Sequence, residues 1–356
     1  MSFENNFNEE EEILKATLKL SFAAQCQHAH WKVRSRAYES MVSSSSFDDD
    51  FAKDEKKETK TNDYEKKNFE IIDYFKEAMH KIVSETNANA LDVALERTNQ
   101  RLRKMIDREL VSFFNTSSSS SKSEGGVKEF AEDVGAKVLP ALVSKAFFGR
   151  PKAVSFATET FCLFVEMEQS ELAIEVLSKA SGHKVPKVAL AASKCLALAC
   201  EQFGCGKRGA LNWMKCLDGA KEAIGHRDEK VRNEGKRVIV ECAKWVGDQV
   251  VMEKMKDKLS KTMKGEVEAS LAKETADGKE RGSMKATRFL ISLQKEMRTK
   301  KTTTSTSECS TEDSVTEKVE AVAGADDLNE DPYDSAEPFS VLKALDKPST
   351  DEDIPK

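Results

Sequence analysis

Five short segments of the sequence share one pattern, in which a turn-forming stretch is followed by a small apolar residue that opens a run with helical spacing. The aligned apolar residues are Val33, Ala90, Ala153, Val188 and Val231, which lie 57, 63, 35 and 43 residues apart. Two polar inserts fall within the two long intervals, and without them the period is roughly 35–45 residues. That period is typical of repeats built from two helices. Such repeats stack on one another because a single helix pair cannot bury its apolar face alone.

Apolar residues recur at spacings of three and four between the inserts, for example in 69–83, 138–146, 157–165, 188–199 and 231–245. The chain has only 16 glycines and 7 prolines in 356 residues, and 33% of its residues are charged. Pro151 and Pro186 stand at expected first-turn positions, where a helix loses no backbone donor. No alternating strand pattern is convincing. The sequence therefore predicts an all-α fold, a solenoid of HEAT-type helix–turn–helix repeats.

Composition divides the chain into a repeat body and polar flanks. The predicted domain covers 10–275, with Ser-rich, charged loops at about 43–63 and 115–126, which cannot bury enough surface to offset the entropy of ordering. We expect 1–9 to be disordered and 276–356 to be a mostly disordered, acidic linker. Residues 301–356 contain 15 acidic and 5 basic residues, whereas the remainder has a net charge of +4. A mildly basic body favours a partner with an acidic surface and is far from the basicity of a nucleic-acid binder.

The sequence gives no support to several other classes of protein, namely membrane proteins, secreted proteins and enzymes. No apolar run approaches the 18 residues of a membrane span, and the acidic N-terminus lacks the apolar core of a signal peptide. We find no Walker A, Rossmann or HExxH motif, so we predict no enzyme, no catalytic residues and no cofactor. The stretch 204–209 has glycine and cations without P-loop spacing, and we interpret it as a turn between helices.

The eight cysteines are scattered without a CxxC pair, so we expect reduced, buried thiols in a cytosolic protein. Cys195, Cys200 and Cys205 are five residues apart, which does not match the ligand spacing of zinc fingers. His28 and His30 lack an evident third ligand nearby. We therefore predict no metal site.

Stacked hairpins place all their internal turns along one edge of the solenoid. That edge would present one aromatic side chain and a row of cations, namely Trp31, Lys32, Arg34, Lys152, Lys184, Lys187, Arg227, Lys230 and Arg232. An exposed aromatic among cations is typical of a protein-binding surface. Trp213 and Trp245 have apolar neighbours and are expected in the core.

The stretch 26–39, Cys-Gln-His-Ala-His-Trp-Lys-Val-Arg-Ser-Arg-Ala-Tyr-Glu, resembles the opening of the first TOG domain of chTOG-type microtubule polymerases. The resemblance continues through 145–168, 183–204 and 227–245. Beyond the repeats, 285–294 resembles the family's short post-domain segment, and 331–342 resembles the stretch before its second TOG domain. The chain therefore ends where a second TOG domain would be expected to begin.

The resemblance implies a flat paddle of six HEAT units, A to F, whose turn edge binds αβ-tubulin. It implies that Trp31 in unit A packs on β-tubulin with help from Lys152 in unit C, and that 251–273 forms unit F. Four cations in units D and E would face α-tubulin: Lys187, Arg227, Lys230 and Arg232. Lys32, Arg34 and Asn89 complete the expected tubulin-binding set.

The leading functional hypothesis is therefore a non-enzymatic tubulin-binding module of a microtubule-associated protein. The family implies a role in plus-end growth and in spindle and cortical microtubule organisation. It also implies a location in the cytoplasm and cytoskeleton, at microtubules, the spindle, spindle poles or centrosomes, and kinetochores. Tubulin dimers and microtubule ends would be the partners, with no nucleic acid or membrane. The alternative is a general HEAT-repeat scaffold of the phosphatase or transport-adaptor type, which co-elution with purified tubulin would discriminate.

Overall fold

The structure, a computed structural model, describes residues 12–43, 74–115, 126–276 and 286–297. All regular elements in these ranges are helical, and their one extended contact is an isolated bridge between Cys205 and Leu211. The predicted all-α class is confirmed. The interiors of the two predicted polar loops, the N-terminal 1–9 and the acidic tail lie outside the described residues. Among the described helices, none is both long and apolar enough to cross a membrane.

A short helical stretch at 12–16 and a 3-10 turn at Thr17–Lys19 precede a series of helices that we number in chain order. These are α1 (Phe22–Cys26), α2 (Trp31–Ser43), α3 (74–82), α4 (Ala88–Asn115), α5 (Val127–Lys145), α6 (Pro151–Glu166), α7 (Ser170–Ser181), α8 (Pro186–Phe203), α9 (Trp213–Ile224), α10 (Glu229–Val246), α11 (Asp248–Met255), α12 (Lys261–Ala276) and α13 (291–297).

The first twelve helices form six consecutive hairpins, which we call units A to F. The second helices of the units contact one another in chain order, from α2 through α4, α6, α8 and α10 to α12. The first helices of units C, D and E, which are α5, α7 and α9, do the same. Two layers result, and the core lies between them. The aligned residues Val33, Ala90, Ala153, Val188 and Val231 are all at most 1% exposed, so the repeat alignment identified core positions.

Local sequence signals set where the second helices begin. Pro151 and Pro186 occupy first-turn positions of α6 and α8, as predicted. Asp228 caps α10, because its side chain accepts a hydrogen bond from the Lys230 backbone N–H at 2.8 Å. The first residue of each second helix also marks the end of the preceding turn, and these turns form the surface described below.

Glycines allow helices to approach closely, both within unit E and between units D and E. A Cβ added at Gly235 in α10 would lie 2.9 Å from the Ala223 Cβ and 3.1 Å from the Ile224 backbone nitrogen in α9. A Cβ at Gly219 in α9 would lie 2.6 Å from a Leu196 methyl of α8. The two glycines therefore occupy positions where a larger side chain would push neighbouring helices apart.

The segment 286–297 departs from the expected disordered linker because it packs against the second-helix layer. The backbone N–H groups of Thr287 and Arg288 both donate to the Gln202 carbonyl, at 2.9 and 3.1 Å. The Arg288 guanidinium pairs with Glu159 at 3.0 Å and with Glu166. Ile291 is 4% exposed. A half-buried cation between two carboxylates and an apolar anchor hold this segment in place, whereas 277–285 and 298–356 lie outside the described residues.

Candidate functional site: the turn edge

The internal turns of the six hairpins lie at 27–30, 83–87, 146–150, 182–185, 225–228 and 256–260. Each immediately precedes a second helix, and those helices run side by side, so the turns form one edge. We call this surface the turn edge. Contacts between successive turns, described below, link units A to D directly. The predicted convergence of the intra-repeat turns is therefore present.

A side-chain acceptor closes four of these turns in the same way. In units A, D and E the Nδ1 atoms of His28, His183 and His226 accept a hydrogen bond from the backbone N–H two residues further on, at 3.0–3.1 Å. In unit B, Glu85 does the same for the Asn87 N–H at 2.8 Å. The acceptor role at Nδ1 requires a neutral imidazole with its proton on Nε2. Each of these residues stands five positions before the buried residue of its repeat, a regularity that the sequence reasoning missed.

Arg34 joins the turns of units A and B. Its Nε and Nη2 atoms donate to the two carboxylate oxygens of Glu85, both at 2.7 Å. Its Nη1 atom donates to the carbonyls of His28 and Ala29, at 2.7 and 2.8 Å. The Arg34 side chain is only 15% exposed. Four of the five N–H donors of the guanidinium are therefore used within the fold, so Arg34 holds the turns of units A and B together.

The Glu85 carboxylate accepts hydrogen bonds from Arg34, Tyr38 and Asn87. Burial alone would raise the pKa of Glu85, but hydrogen bonds from Arg34, the Asn87 N–H and the Tyr38 hydroxyl outweigh it and leave the pKa below its ordinary value. The Tyr38 hydroxyl is 2.9 Å from the carboxylate. Burial and the nearby carboxylate in turn raise the pKa of Tyr38. The carboxylate is thus the charged centre of the junction between units A and B.

Arg232 repeats the arrangement of Arg34 in unit E. Its Nη1 atom donates to the carbonyls of His226 and Arg227, at 3.1 and 2.7 Å. These carbonyls lie six and five residues before the arginine, as in unit A. Arg232 is half-buried. Its first role, like that of Arg34, is to fix the shape of its turn.

Trp31 and Lys32 begin α2 at the unit A end of the turn edge. Trp31 is half-buried and packs partly on the core, and the Lys32 ammonium lies 5.9 Å from its ring centroid. Trp213 and Trp245, both expected in the core, are half-buried in the same way. Position distinguishes Trp31 from them, because it lies at the turn edge.

The edge residues of units B, C and D are exposed and mostly engaged with neighbouring turns. The Asn89 amide oxygen accepts a hydrogen bond from Arg150 at 2.9 Å. The Lys187 ammonium donates to the Phe148 carbonyl at 2.9 Å, which joins unit D to unit C. Lys152 is 3.8 Å from Glu96 and stands over the Phe156 ring. These surface contacts are weak, so the lysines remain available to a partner.

Arg227 and Lys230 are exposed cations in unit E. Neither side chain makes a hydrogen bond or ion pair with another residue that the structure describes. The nearby Asp228 is directed to the backbone of α10 as its cap. Of the predicted set, these two are the cations most fully directed to solvent.

Three residues of the turn edge were missed from the sequence. Phe148 and Val185 are exposed large apolar residues, at 44% and 37%, and the Phe148 ring packs edge-on against His183 at 5.8 Å. Arg150 bridges Asn89 and Asp92, both at 2.9 Å. Phe148 lies in the turn 146–150, three residues before Pro151, and an aromatic close to a helix-opening proline is a sequence signal for an edge position.

The residues 17–271 match the family model of the XMAP215/Dis1/CLASP TOG domain. The chain belongs to this TOG domain family. The resemblance expected from the sequence is thereby confirmed, and the turn edge described above is the edge of a TOG domain. Arg34 and Arg232, which bind the turn carbonyls of units A and E in the same way, belong to the hairpin turns of this TOG domain. So do the three histidines whose Nδ1 atoms close the turns.

Curated relatives extend the similarity beyond the TOG domain itself. The chain is 27% identical to Protein MOR1 of Oryza sativa subsp. japonica over 340 residues, which is 95% of this chain and 14% of that protein. It is 28% identical to Protein MOR1 of Arabidopsis thaliana over 271 residues, which is 76% of this chain and 12% of that protein. The chain thus spans about a seventh or less of the length of these relatives.

Solved structures agree with the fold. One, from work on tubulin recruitment and assembly by microtubule polymerases with TOG domain arrays, matches 78% of this chain and 50% of its own with a TM-score of 0.57 and 18% identity. The MAST/Orbit N-terminal domain matches 72% of this chain and 96% of its own with a TM-score of 0.50 and 15% identity. At sequence identities this low, the two matches support the helical-repeat fold alone.

Proposed function

We propose that this chain is a non-enzymatic module that binds the αβ-tubulin dimer through its turn edge. The observation that carries the proposal is the alignment of the turns, which brings Trp31 of unit A, Phe148 of unit C and exposed cations of units C, D and E onto one edge. Membership of the TOG domain family supports it, as does the fold shared with a polymerase whose TOG arrays recruit tubulin.

The predicted residues divide into two roles under this proposal. Six of them would contact tubulin directly: Trp31, Lys32, Lys152, Lys187, Arg227 and Lys230. Three would position these through hydrogen bonds within or between turns: Arg34, Asn89 and Arg232. The division follows from hydrogen bonding, because a guanidinium that already serves two backbone carbonyls has fewer donors left for a partner.

The charge of the edge suits an acidic partner. Tubulin is acidic, and exposed cations raise the rate of encounter with such a surface more than they raise the final affinity. The apolar side chains of Trp31, Phe148 and Val185 would supply contact area once the two surfaces meet. The binding should therefore weaken with salt, because exposed charges are screened over about 8 Å at physiological ionic strength.

The decisive experiment reverses two cations of unit E and compares them with one cation elsewhere. Arg227→Glu together with Lys230→Glu should weaken binding to purified tubulin dimer at least tenfold, or about 1.4 kcal/mol, and should flatten its salt dependence. Lys207→Glu is the matched control, because Lys207 is exposed in the connection between units D and E, away from the turn edge. The dissociation constant at several salt concentrations is the measurement.

An unchanged affinity and salt slope in the double variant would remove unit E from the interface. Failure of the unaltered chain to co-elute with tubulin would favour the general scaffold instead. Within the tubulin-binding proposal, the family also suggests binding at microtubule ends, plus-end growth, organisation of spindle and cortical arrays, and location at spindle poles, centrosomes or kinetochores. Tagged chain observed on dynamic microtubules would test the end preference.

A further inference from the structure

Four buried cysteines converge between units D and E, although the sequence separates them by up to 42 residues. Cys200 lies in the last turns of α8, Cys205 follows that helix, Cys216 lies in α9 and Cys242 lies in α10. Their Sγ atoms all lie within 4.8 Å of one another, and those of Cys205 and Cys242 are 3.9 Å apart. The expectation of buried free thiols holds for the described cysteines, but the cluster was not foreseen.

The geometry of this cluster suits one tetrahedral ion. Zinc binds thiolates at about 2.3 Å, so four sulfurs around one ion are separated by about 3.8 Å. A separation of 3.9 Å between Cys205 and Cys242 is close to that edge length. It is far longer than the roughly 2.05 Å of a disulfide bond. An iron–sulfur cluster would insert several irons and sulfides and would hold the cysteines further apart.

The backbone around the cluster is shaped to bring Cys205 inward. Gly204 and Gly206 have φ angles of +70° and +74°, in the left-handed region that favours glycine. The Gly206 N–H donates to the Leu211 carbonyl at 2.9 Å, and the Leu211 N–H donates to the Gly204 carbonyl at 3.1 Å. The connection 204–211 is thus a closed loop with Cys205 at its base, directed into the core.

The indole ring of Trp245 lies beside the loop 204–211, and its N–H donor has no hydrogen-bond partner among the described residues. The Trp245 ring lies against Gly204, where an added Cβ would meet it at 2.8 Å. Its Nε1 atom is buried. A buried indole N–H without an acceptor costs free energy, so this donor is an unexplained polar group next to the loop that carries Cys205.

We propose that Cys200, Cys205, Cys216 and Cys242 form a structural site for a single thiophilic divalent ion, with zinc as the ion it would take. Binding would release four protons, one from each thiol, and would leave a tetrahedral complex with four zinc–sulfur bonds and a net charge of −2. The site is closed, since all four ligands are protein side chains and no position remains for a substrate. Its role would be to fix units D and E to each other.

The first test uses the full chain, purified under reducing conditions and supplied with zinc or cobalt. After excess metal is removed, the chain should retain about one equivalent of zinc by elemental analysis. The cobalt form should show thiolate-to-cobalt charge transfer and the visible bands of tetrahedral cobalt. Retention of less than about a tenth of an equivalent, or absence of those bands, would overturn the proposal.

Matched variants test which cysteines are responsible. Cys216→Ala and Cys242→Ala should each lose the bound metal, whereas Cys195→Ala should keep it, because Cys195 is a buried cysteine of α8 outside the cluster. Equal retention in all three variants would contradict the assignment. If the cluster variants do not fold, chelation of the unaltered protein gives the answer. Removal of the metal should lower the melting temperature and raise amide exchange across 200–216.

A redox outcome is distinguishable from metal binding. A disulfide between Cys205 and Cys242 would lower the mass by two hydrogens, remove two titratable thiols and prevent uptake of cobalt. That result in protein purified under reducing conditions would also overturn the proposal. Reversible uptake with four accessible thiols after chelation would support it.

Discussion

Trp31 is the residue whose exposure best connects the fold to the proposed function. It packs partly on the core but begins α2 at the turn edge, with the Lys32 ammonium 5.9 Å from its ring. Aromatic anchors of this kind often contribute 2 kcal/mol or more to an interface. We expect Trp31→Ala to weaken tubulin binding at least tenfold while the helical circular dichroism stays near that of the parent.

Titration calorimetry together with a melting curve decides this prediction. Trp213→Ala is a matched control, because Trp213 is also half-buried but lies at the start of α9, away from the turn edge. A larger loss of folding than of binding in Trp31→Ala would place Trp31 in the core. An equal loss of binding in both variants would indicate a general effect on the fold.

Glu85 provides a second prediction at the same scale, concerning stability and pH. Its pKa is lowered from the ordinary value of 4.5. The ion pair with Arg34 therefore contributes fully above that ordinary value and is lost as the pH falls through the lowered one. Glu85→Gln should destabilise the domain by about 3 kcal/mol at neutral pH, since it leaves Arg34 without its charged partner.

Chemical denaturation at several pH values is the measurement. The difference in the free energy of unfolding between the parent and Glu85→Gln should become smaller as the pH falls, because the Glu85 carboxylate of the parent is then protonated and loses its charge. Glu229→Gln is the control, since Glu229 is an exposed first-turn residue of α10. A constant difference across pH would show that the carboxylate charge is not the source of the stability.

At the scale of the element, the segment 286–297 attaches to helices α4, α6 and α8. Arg288 is its main anchor, since it pairs with Glu159 and Glu166 and stacks over Phe203 at 5.5 Å. Lys295 adds an ion pair to Glu109 at 2.7 Å. Arg288→Ala would remove the cation beside Glu166 and would leave Glu159 with Arg103 as its remaining partner. We therefore expect a lower melting temperature and loss of amide protection from 287 to 297.

Hydrogen exchange followed by mass spectrometry measures that protection directly. Lys295→Ala should have a smaller effect, because its ion pair is partly solvated and such pairs contribute little. Unchanged protection in Arg288→Ala would mean that Ile291 and the two hydrogen bonds to Gln202 hold the segment without the charge.

The elements also show what the sequence can and cannot reveal. The hairpins follow from spacing that is local, so the second helices that begin at Pro151, Pro186 and Glu229 were predictable. The role of Arg34 was not, because its partner Glu85 is 51 residues away and beyond the first polar insert. The four-cysteine cluster was missed for the same reason, since Cys242 comes from another helix of the next unit. The place of the predicted cations at the hairpin turns followed from the repeat pattern, whereas their hydrogen bonds depend on how the turns pack together.

For the molecule as a whole, the described residues form one turn edge of six units. One edge presents one arrangement of side chains, and we therefore expect this chain to bind one tubulin dimer. Sedimentation of the mixed proteins should give a complex with the mass of one chain and one dimer. A complex with two dimers on one chain would reveal a second binding surface.

That stoichiometry has a consequence for microtubule growth. Growth promotion by tethering requires two binding events on one molecule, where a short linker raises the effective concentration of the second to millimolar levels. A chain that holds a single dimer withdraws it from the pool without delivering it. Increasing amounts of the 356-residue chain should therefore slow microtubule elongation observed by microscopy, and the Arg227→Glu, Lys230→Glu variant should slow it less. Acceleration of growth by the chain alone would contradict a single-edge mechanism, because it would require a second contact with tubulin or with the lattice.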